Sequence, residues 1–270
     1  MNIIVCIKQV IDPDIPARDF KIDETTNTVI PPPNIPPVIS NFDQYALEAA
    51  VQLKETYGGS IVVLSIGSSN AMDNIKKSLA MGCDEAILLE DDAFEDSDTF
   101  GSAEILGAAI RKVDKEREPF DLVLFGRVSS DWSSGATGIA VAESLNLPCI
   151  SQVQKIETAG DNLHIERVLE DGSATYEIST PCVLTISNEI GEPRLPTVPG
   201  ILKASRKEVP RWCAADLPLN SNGFGKTSSR EELLRLFIPK HDGKCEMVGG
   251  ESVEDAAENL AVLLRDHKLI

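Results

Sequence analysis

Short apolar runs alternating with amphipathic segments narrow the possible folds of this chain more than any other feature. Residues 3–7, 61–66, 85–89, 122–125 and 149–153 read as strands, and residues 43–57, 71–81, 99–116 and 134–145 read as helices between them. Runs this apolar arise where crossover helices bury both faces of a parallel sheet. The expected class is therefore α/β, with a doubly wound, mainly parallel sheet.

Two departures from that rhythm set the outline. Residues 12–40 form a long insertion with seven prolines (Pro13, Pro16, Pro31, Pro32, Pro33, Pro36 and Pro37). Proline removes backbone donors and blocks helix, so this is a surface excursion, with room for a small hairpin at 21–30. After Ser151 the pattern changes to alternating strands at 163–169, 173–179 and 182–187, with Asp171-Gly172 as a tight turn, an antiparallel extension of the sheet. Residues 195–200 are proline-rich, 201–207 short and basic, and 214–227 loop-like. Residues 229–237 read as a short helix. From Ser252, Val253, Ala256, Ala257, Leu260, Leu263 and Leu264 recur at helical spacing to the end. The chain divides into an α/β domain at 1–210 and an arm at 211–270 that needs a surface to lie on.

Composition excludes several classes of function. A net charge of −18 opposes binding to a phosphate backbone, so no nucleic-acid partner is expected. No stretch reaches the roughly 18 apolar residues of a membrane span, and the amino terminus opens on a strand without a signal pattern. A cytoplasmic location is expected. The cysteines Cys6, Cys83, Cys149, Cys182, Cys213 and Cys245 are scattered without a CxxC pair, so no metal site is spelled out. His164, His241 and His267 are isolated and no nucleophile sits in a recognisable elbow, which argues against hydrolysis. No side chain is nominated as a catalytic acid, base or nucleophile.

In an open parallel sheet, ligands bind beyond the carboxyl ends of the strands. Three sequences occupy that place: Cys6-Ile7-Lys8-Gln9-Val10, Ser65-Ile66-Gly67-Ser68-Ser69, and residues 126–138. The third follows a buried strand, carries small and hydroxyl residues at 133–137 and opens a helix, so its backbone N–H groups suit an anion. The same composition also suits an ordinary strand-to-helix turn, since it matches neither GxxxxGK[ST] nor GxGxxG. Lys8 ends the first strand, where it reaches either a phosphate or water. Asn41 stands where it can cap the first helix.

Several separated blocks together resemble the beta subunits of electron-transferring flavoproteins. They are Ile4-Val5-Cys6-Ile7-Lys8-Gln9-Val10, Asn41-Phe42-Asp43-Gln44-Tyr45-Ala46-Leu47-Glu48, Met81-Gly82-Cys83-Asp84-Glu85-Ala86, residues 126–138, Pro181-Cys182-Val183-Leu184-Thr185, Gly191-Glu192-Pro193-Arg194 and the closing helix. The resemblance covers nearly the whole chain. It implies a Rossmann-type sheet of the adenine-nucleotide alpha-hydrolase-like kind, in a heterodimer whose alpha subunit holds FAD. This subunit then binds either AMP or the adenylate part of a second FAD. The matching contacts are Cys6, Lys8, Asn41, Asp43, Ile66, Gly67, Gly126, Arg127, Val128, Asp131, Ser133, Ser134, Gly135, Ala136 and Thr137. Ile190, with Glu192, Pro193 and Arg194, matches a loop that docks a flavin dehydrogenase such as an acyl-CoA dehydrogenase, with Ile190 as its exposed apolar tip. Residues 41–48 resemble the version in electron-bifurcating members, in which a full FAD takes hydride from NADH and divides the electrons between ferredoxin or flavodoxin and the alpha-subunit FAD. The alternatives are an AMP-binding, non-bifurcating carrier and a non-redox adenine-nucleotide module. Ala136 replaces the family's usual glutamine, Trp132 replaces acidic or small residues, and Thr175 and Tyr176 depart from its signature, so the chain resembles a divergent branch.

Overall fold

The structure, a computed structural model, describes residues 1–160, 162–219, 223–239, 243 and 245–270. Strand β1 (Ile3–Cys6) leads to β2 (Gln9–Val10), the hairpin of β3 (Lys21–Asp23) and β4 (Thr28–Ile30), and β5 (Val38–Ile39). Helices and strands then alternate: α1 (Asn41–Tyr57), β6 (Ile61–Ile66), α2 (Met72–Met81), β7 (Glu85–Leu89), α3 (Thr99–Glu116), β8 (Leu122–Gly126) and α4 (Thr137–Leu145). Next come β9 (Cys149–Ala159), β10 (Asn162–Leu169), β11 (Gly172–Ser179) and β12 (Cys182–Ile186), then α5 (Val198–Arg206), β13 (Arg211–Trp212) and α6 (Val253–Asp266).

Nine strands form one sheet in the order β11-β10-β9-β12-β8-β1-β6-β7-β13. Pairing is parallel from β9 through β13 and antiparallel between β9, β10 and β11. Side-chain alternation along β1 shows why its run is apolar throughout. Ile3 and Val5 enter the core beneath α1 and α2, whereas Ile4 and Cys6 enter the opposite core beneath α3 and α4. The chain moves outward from β1 to β6 and β7, then returns to place β8 on the other side of β1. That reversal opens a crevice at the carboxyl ends of β1 and β8, where an open α/β sheet takes its ligands. Among the described residues, no helix is long and apolar enough to cross a membrane.

The excursion is closed at its base by β2 pairing with β5, and its tip is the β3–β4 hairpin. Strand β9 runs on to Ala159 instead of stopping near Val153. Gln152 makes this possible by adopting a left-handed φ of +58°, donating its N–H to Thr185 Oγ1 at 3.1 Å while the register with β12 shifts. The turn between β10 and β11 is Glu170-Asp171, one residue earlier than Asp171-Gly172, because Leu169 pairs directly with Gly172.

Beyond the sheet, one element is added and one expectation is overturned. The proline-rich and short basic stretches, given no element from sequence, together form helix α5: Thr197 caps it by accepting the Gly200 N–H at 3.1 Å, and Pro199 falls in its first turn, where its missing donor costs nothing. Residues 229–237 are not a helix. Their backbone bonds outward instead: the N–H groups of Arg230 and Glu231 donate to Asp98 Oδ2 at 2.5 and 3.3 Å, and the Leu236 N–H donates to Asn27 Oδ1 at 3.0 Å. Asp98 also caps α3 through the Gly101 N–H at 2.8 Å, so one carboxyl group serves both segments. Helix α6 ends at Asp266, and none of its residues is buried.

The packing of α5 on α2 is close enough to test. A Cβ on Gly200 would lie 2.5 Å from the Ala80 carbonyl oxygen, whereas Gly243 has nothing within 4 Å. Gly200→Ala should lower stability to urea by about 1–3 kcal/mol, the usual cost of overpacking, while Gly243→Ala leaves the midpoint in place. Equal midpoints for both variants would show that α5 moves aside freely.

Candidate functional site

The crevice is organised by Asp43, a buried residue only 7% exposed. Its Oδ2 accepts the Lys8 N–H at 2.8 Å and its Oδ1 accepts the Gly126 N–H at 3.1 Å. The first turn of α1 is thereby tied to the chain just beyond β1 and to the end of β8. Burial pushes the Asp43 pKa up to about 7; the two backbone donors and the Lys8 charge pull the other way, and Asp131 adds to the rise. Gly126 is required by proximity, since a Cβ there would lie 2.6 Å from both Asp43 Oδ1 and the Phe42 carbonyl carbon.

A second lock involves residues the sequence reading passed over. Buried Ser40 accepts the Ser130 N–H on its Oγ at 3.1 Å, and Ser130 Oγ accepts the Asn41 N–H at 2.9 Å. Helix α1 starts at Asn41 with Ser40 as its N-cap, so Asn41 is the first helical residue and not the cap. The available signal was Ser40 itself, a residue type favoured immediately before a helix.

Lys8 Nζ lies 2.7 Å from Asp131 Oδ2, with side chains 45% and 33% exposed. Asp131 Oδ1 accepts the Trp132 N–H at 2.8 Å. Burial raises the Asp131 pKa, but the Lys8 hydrogen bond and charge outweigh it and hold the group below the usual range. The turn then folds on itself. Ser133 has φ +55° and donates both its N–H and its hydroxyl to the Ser129 carbonyl at 3.1 Å, and Gly135 has φ +66°. Ser134 is exposed, and Gly135 packs against Val128. Helix α4 begins at Thr137, later than the sequence placed it, and its N-cap Ala136 supplies no side-chain bond. Its first N–H groups thus end beside an exposed, hydroxyl-rich turn, an arrangement suited to phosphate oxygens. Gly138 lets this helix start close to the sheet, since a Cβ there would lie 2.9 Å from Thr185 Cγ2.

Other expected contacts border the crevice. Cys6 ends β1 as a buried thiol whose pKa is raised well above its ordinary value by burial and then by Asp43, so it is neutral and offers mainly its backbone. Ile66 ends β6, and Gly67 donates its N–H to Leu89 at 3.1 Å. Arg127 turns its guanidinium over the Phe42 ring, 4.6 Å from the centroid, and donates to Ser187 Oγ at 3.3 Å.

The residues expected to dock a partner lie apart, on the loop between β12 and α5. Ile190 is not the exposed tip: it is half-buried, packed against the core beneath α1. Leu195, five residues on, is 85% exposed. Glu192 and Pro193 connect the two, and Arg194 turns inward to Glu48 and Glu55. Among the described residues, no three His, Cys, Asp or Glu side chains are grouped to hold a metal ion.

Residues 34–217 match the sequence profile of the electron transfer flavoprotein domain. An electron transfer flavoprotein subunit beta from Thermoanaerobacterium thermosaccharolyticum is 36% identical over 271 residues, covering 100% of both chains. Subunit CarD of the caffeyl-CoA reductase-Etf complex from Acetobacterium woodii is 34% identical over 271 residues, again covering 100% of both. Protein FixA from Bradyrhizobium diazoefficiens is 31% identical over 275 residues, covering 100% of this chain and 93% of the relative.

The buried carboxyl group makes a pH prediction. Its folded pKa of about 7 lies above the ordinary carboxyl value, so protonation favours the folded state. The stability it confers is full below about pH 4 and is lost as pH rises through 7, a change of up to about 4 kcal/mol. Urea midpoints of the wild type, measured relative to Asp43→Asn, should therefore fall between pH 4 and pH 8. Parallel pH profiles would show that Asp43 does not titrate in this window.

Proposed function

The chain belongs to the electron transfer flavoprotein beta-subunit family, and from that premise we propose that its β1–β8 crevice binds FAD in an electron-bifurcating heterodimer. An electron-transfer role beside an alpha subunit follows from membership itself. An adenine nucleotide is favoured by the turn at the start of α4, bordered by Lys8, and FAD over AMP by residues 41–48, which resemble the version in bifurcating members. FAD bound there would accept hydride from NADH and deliver electrons towards the alpha-subunit flavin and a ferredoxin-type acceptor.

The residues fit an adenylate-bearing cofactor. Uncapped N–H groups at Thr137 and beyond would receive phosphate oxygens, with the hydroxyls of Ser134 and Thr137 beside them and Ser133 shaping the turn through its bonds to Ser129. Lys8 is already held at the crevice by Asp131 and can share its charge with a phosphate. Asn41, Asp43 and Gly126, at the first turn of α1 and the end of β8, border the nucleotide in this reading, and Ser40 with Ser130 stands behind them. They hold the β1 end, the turn and α1 at fixed separation. The chain's own contribution is thus binding and orientation, and no proton transfer by a side chain is required.

CarD takes part in a caffeyl-CoA reductase complex by its name, which favours a partner of the flavin dehydrogenase type here as well. The exposed Leu195 and the loop behind it are the surface for that contact. The arm beyond the sheet serves the alpha subunit in this reading: α6 exposes Val253 and Leu260 of its apolar stripe and buries none of its residues, so that stripe needs a second chain.

Three measurements test these statements. Nucleotide released from the purified heterodimer should be two FAD per heterodimer; one FAD plus one AMP would replace bifurcation with simple electron carriage. Lys8→Met should weaken nucleotide binding about tenfold, the scale of one charge-assisted hydrogen bond, by calorimetric titration. Truncation after Gly249, which removes α6, should separate the subunits on gel filtration; an intact heterodimer would refute the role given to the arm.

A further inference from the structure

The loop from Ser187 to Leu195 is fastened at both ends to elements that build the nucleotide crevice. At its start, Ser187 Oγ accepts from Arg127 Nη1 at 3.3 Å, and the Arg127 N–H donates to the Ile186 carbonyl at 2.9 Å. Arg127 directly follows Gly126 and lies over Phe42, the residue before Asp43. The Ser187 hydroxyl also bonds Glu189.

At its far end, Arg194 binds α1 through five hydrogen bonds. Its N–H and Nε donate to Glu48 Oε2 at 3.0 and 2.9 Å, and Nη2 donates to Glu48 Oε1 at 3.0 Å. Nη1 and Nη2 reach the Glu55 carboxylate at 2.6 and 2.9 Å. Glu48 is only 4% exposed, and its other support is the Gln52 amide at 2.9 Å. Burial pushes Glu48 upward, and the Arg194 bonds more than offset that, leaving its carboxylate below the usual range. A bidentate guanidinium between two carboxylates fixes direction as well as distance.

We infer that Arg194 is a positioning residue that makes this loop a rigid extension of α1, so that nucleotide occupancy at the first turn of α1 sets the posture of the exposed Leu195. The inference rests on the reading of the β1–β8 crevice as a nucleotide site. Helix α1 carries Asp43 at one end and Glu48 and Glu55 along its length, so both attachments lie on one element. A ligand that stiffens the crevice would damp local opening of whatever is bound to α1 and Arg127. The residue beyond Arg194 is Leu195, and its motion follows.

Hydrogen exchange separates the two claims. The heterodimer, freed of the nucleotide in this subunit, is reloaded with AMP or with FAD and followed by mass spectrometry. Residues 126–138 report the site, and residues 187–196 report the loop. In the wild type, nucleotide should slow exchange severalfold in both segments. Arg194→Gln should keep the response at 126–138, with affinity within about twofold of wild type, and lose it at 187–196; Arg194→Lys should restore part. Unchanged exchange in α3 certifies that each variant is folded. A loop that responds in Arg194→Gln as in wild type, or a wild-type loop that stays silent while 126–138 is protected, overturns the inference and leaves the nucleotide reading intact. No protection at 126–138 with either nucleotide overturns both.

Discussion

One buried carboxyl group decides the geometry of the crevice. Asp43 accepts a backbone N–H from the chain leaving β1 and another from the end of β8. Both donors sit where the two strands end and the crossovers change sides. A buried, unpaired N–H costs about 1–3 kcal/mol, so an acceptor reaching both is worth more than its own desolvation would indicate. The absence of a side chain at Gly126 allows α1 to approach closely enough for this, and Ser40 with Ser130 repeats the same device a few ångströms along the chain.

Much of the fold was legible because burial on both faces leaves a plain trace. Residues 61–66, 85–89 and 99–116 were read with the bounds the structure gives. The readings that failed did so where a local bond decides the conformation. Thr197 and Pro199 make α5 a helix in a stretch whose proline-rich and then basic composition assigned it no element. In residues 229–237 Asn27 takes up the Leu236 N–H, a donor a helix there would spend on its own backbone, and Asp98 fastens the start of the segment to α3. In one case the deciding residues are a cap and a first-turn proline beside the helix, in the other single residues from distant parts of the sequence, and periodicity contains no record of either.

The crevice divides in the same way. Lys8, Asp131 and the small-residue turn before α4 lie together, as position at strand ends indicated. Ser40, Ser130 and Ser187 were not singled out, because a serine's part as acceptor depends on which backbone group faces it. Ile190 is packed and Leu195 is presented, a reversal set by Arg194: its attachment to Glu48 and Glu55 decides which side of the loop turns towards the core. In a chain of net charge −18, an arginine bound to two carboxylates also relieves local repulsion along α1.

Asp98 has a mechanical consequence. It fastens the root of the arm to the start of α3, beyond β7, and β7 lies two strands from β1 in the sheet. A tug from the far end of the arm meets two anchors in turn: Asn27 on the β3–β4 hairpin, which holds Leu234 and Leu236, and then Asp98. The first lets the excursion yield before the sheet is loaded, and the second passes what is left into α3 as shear against the sheet.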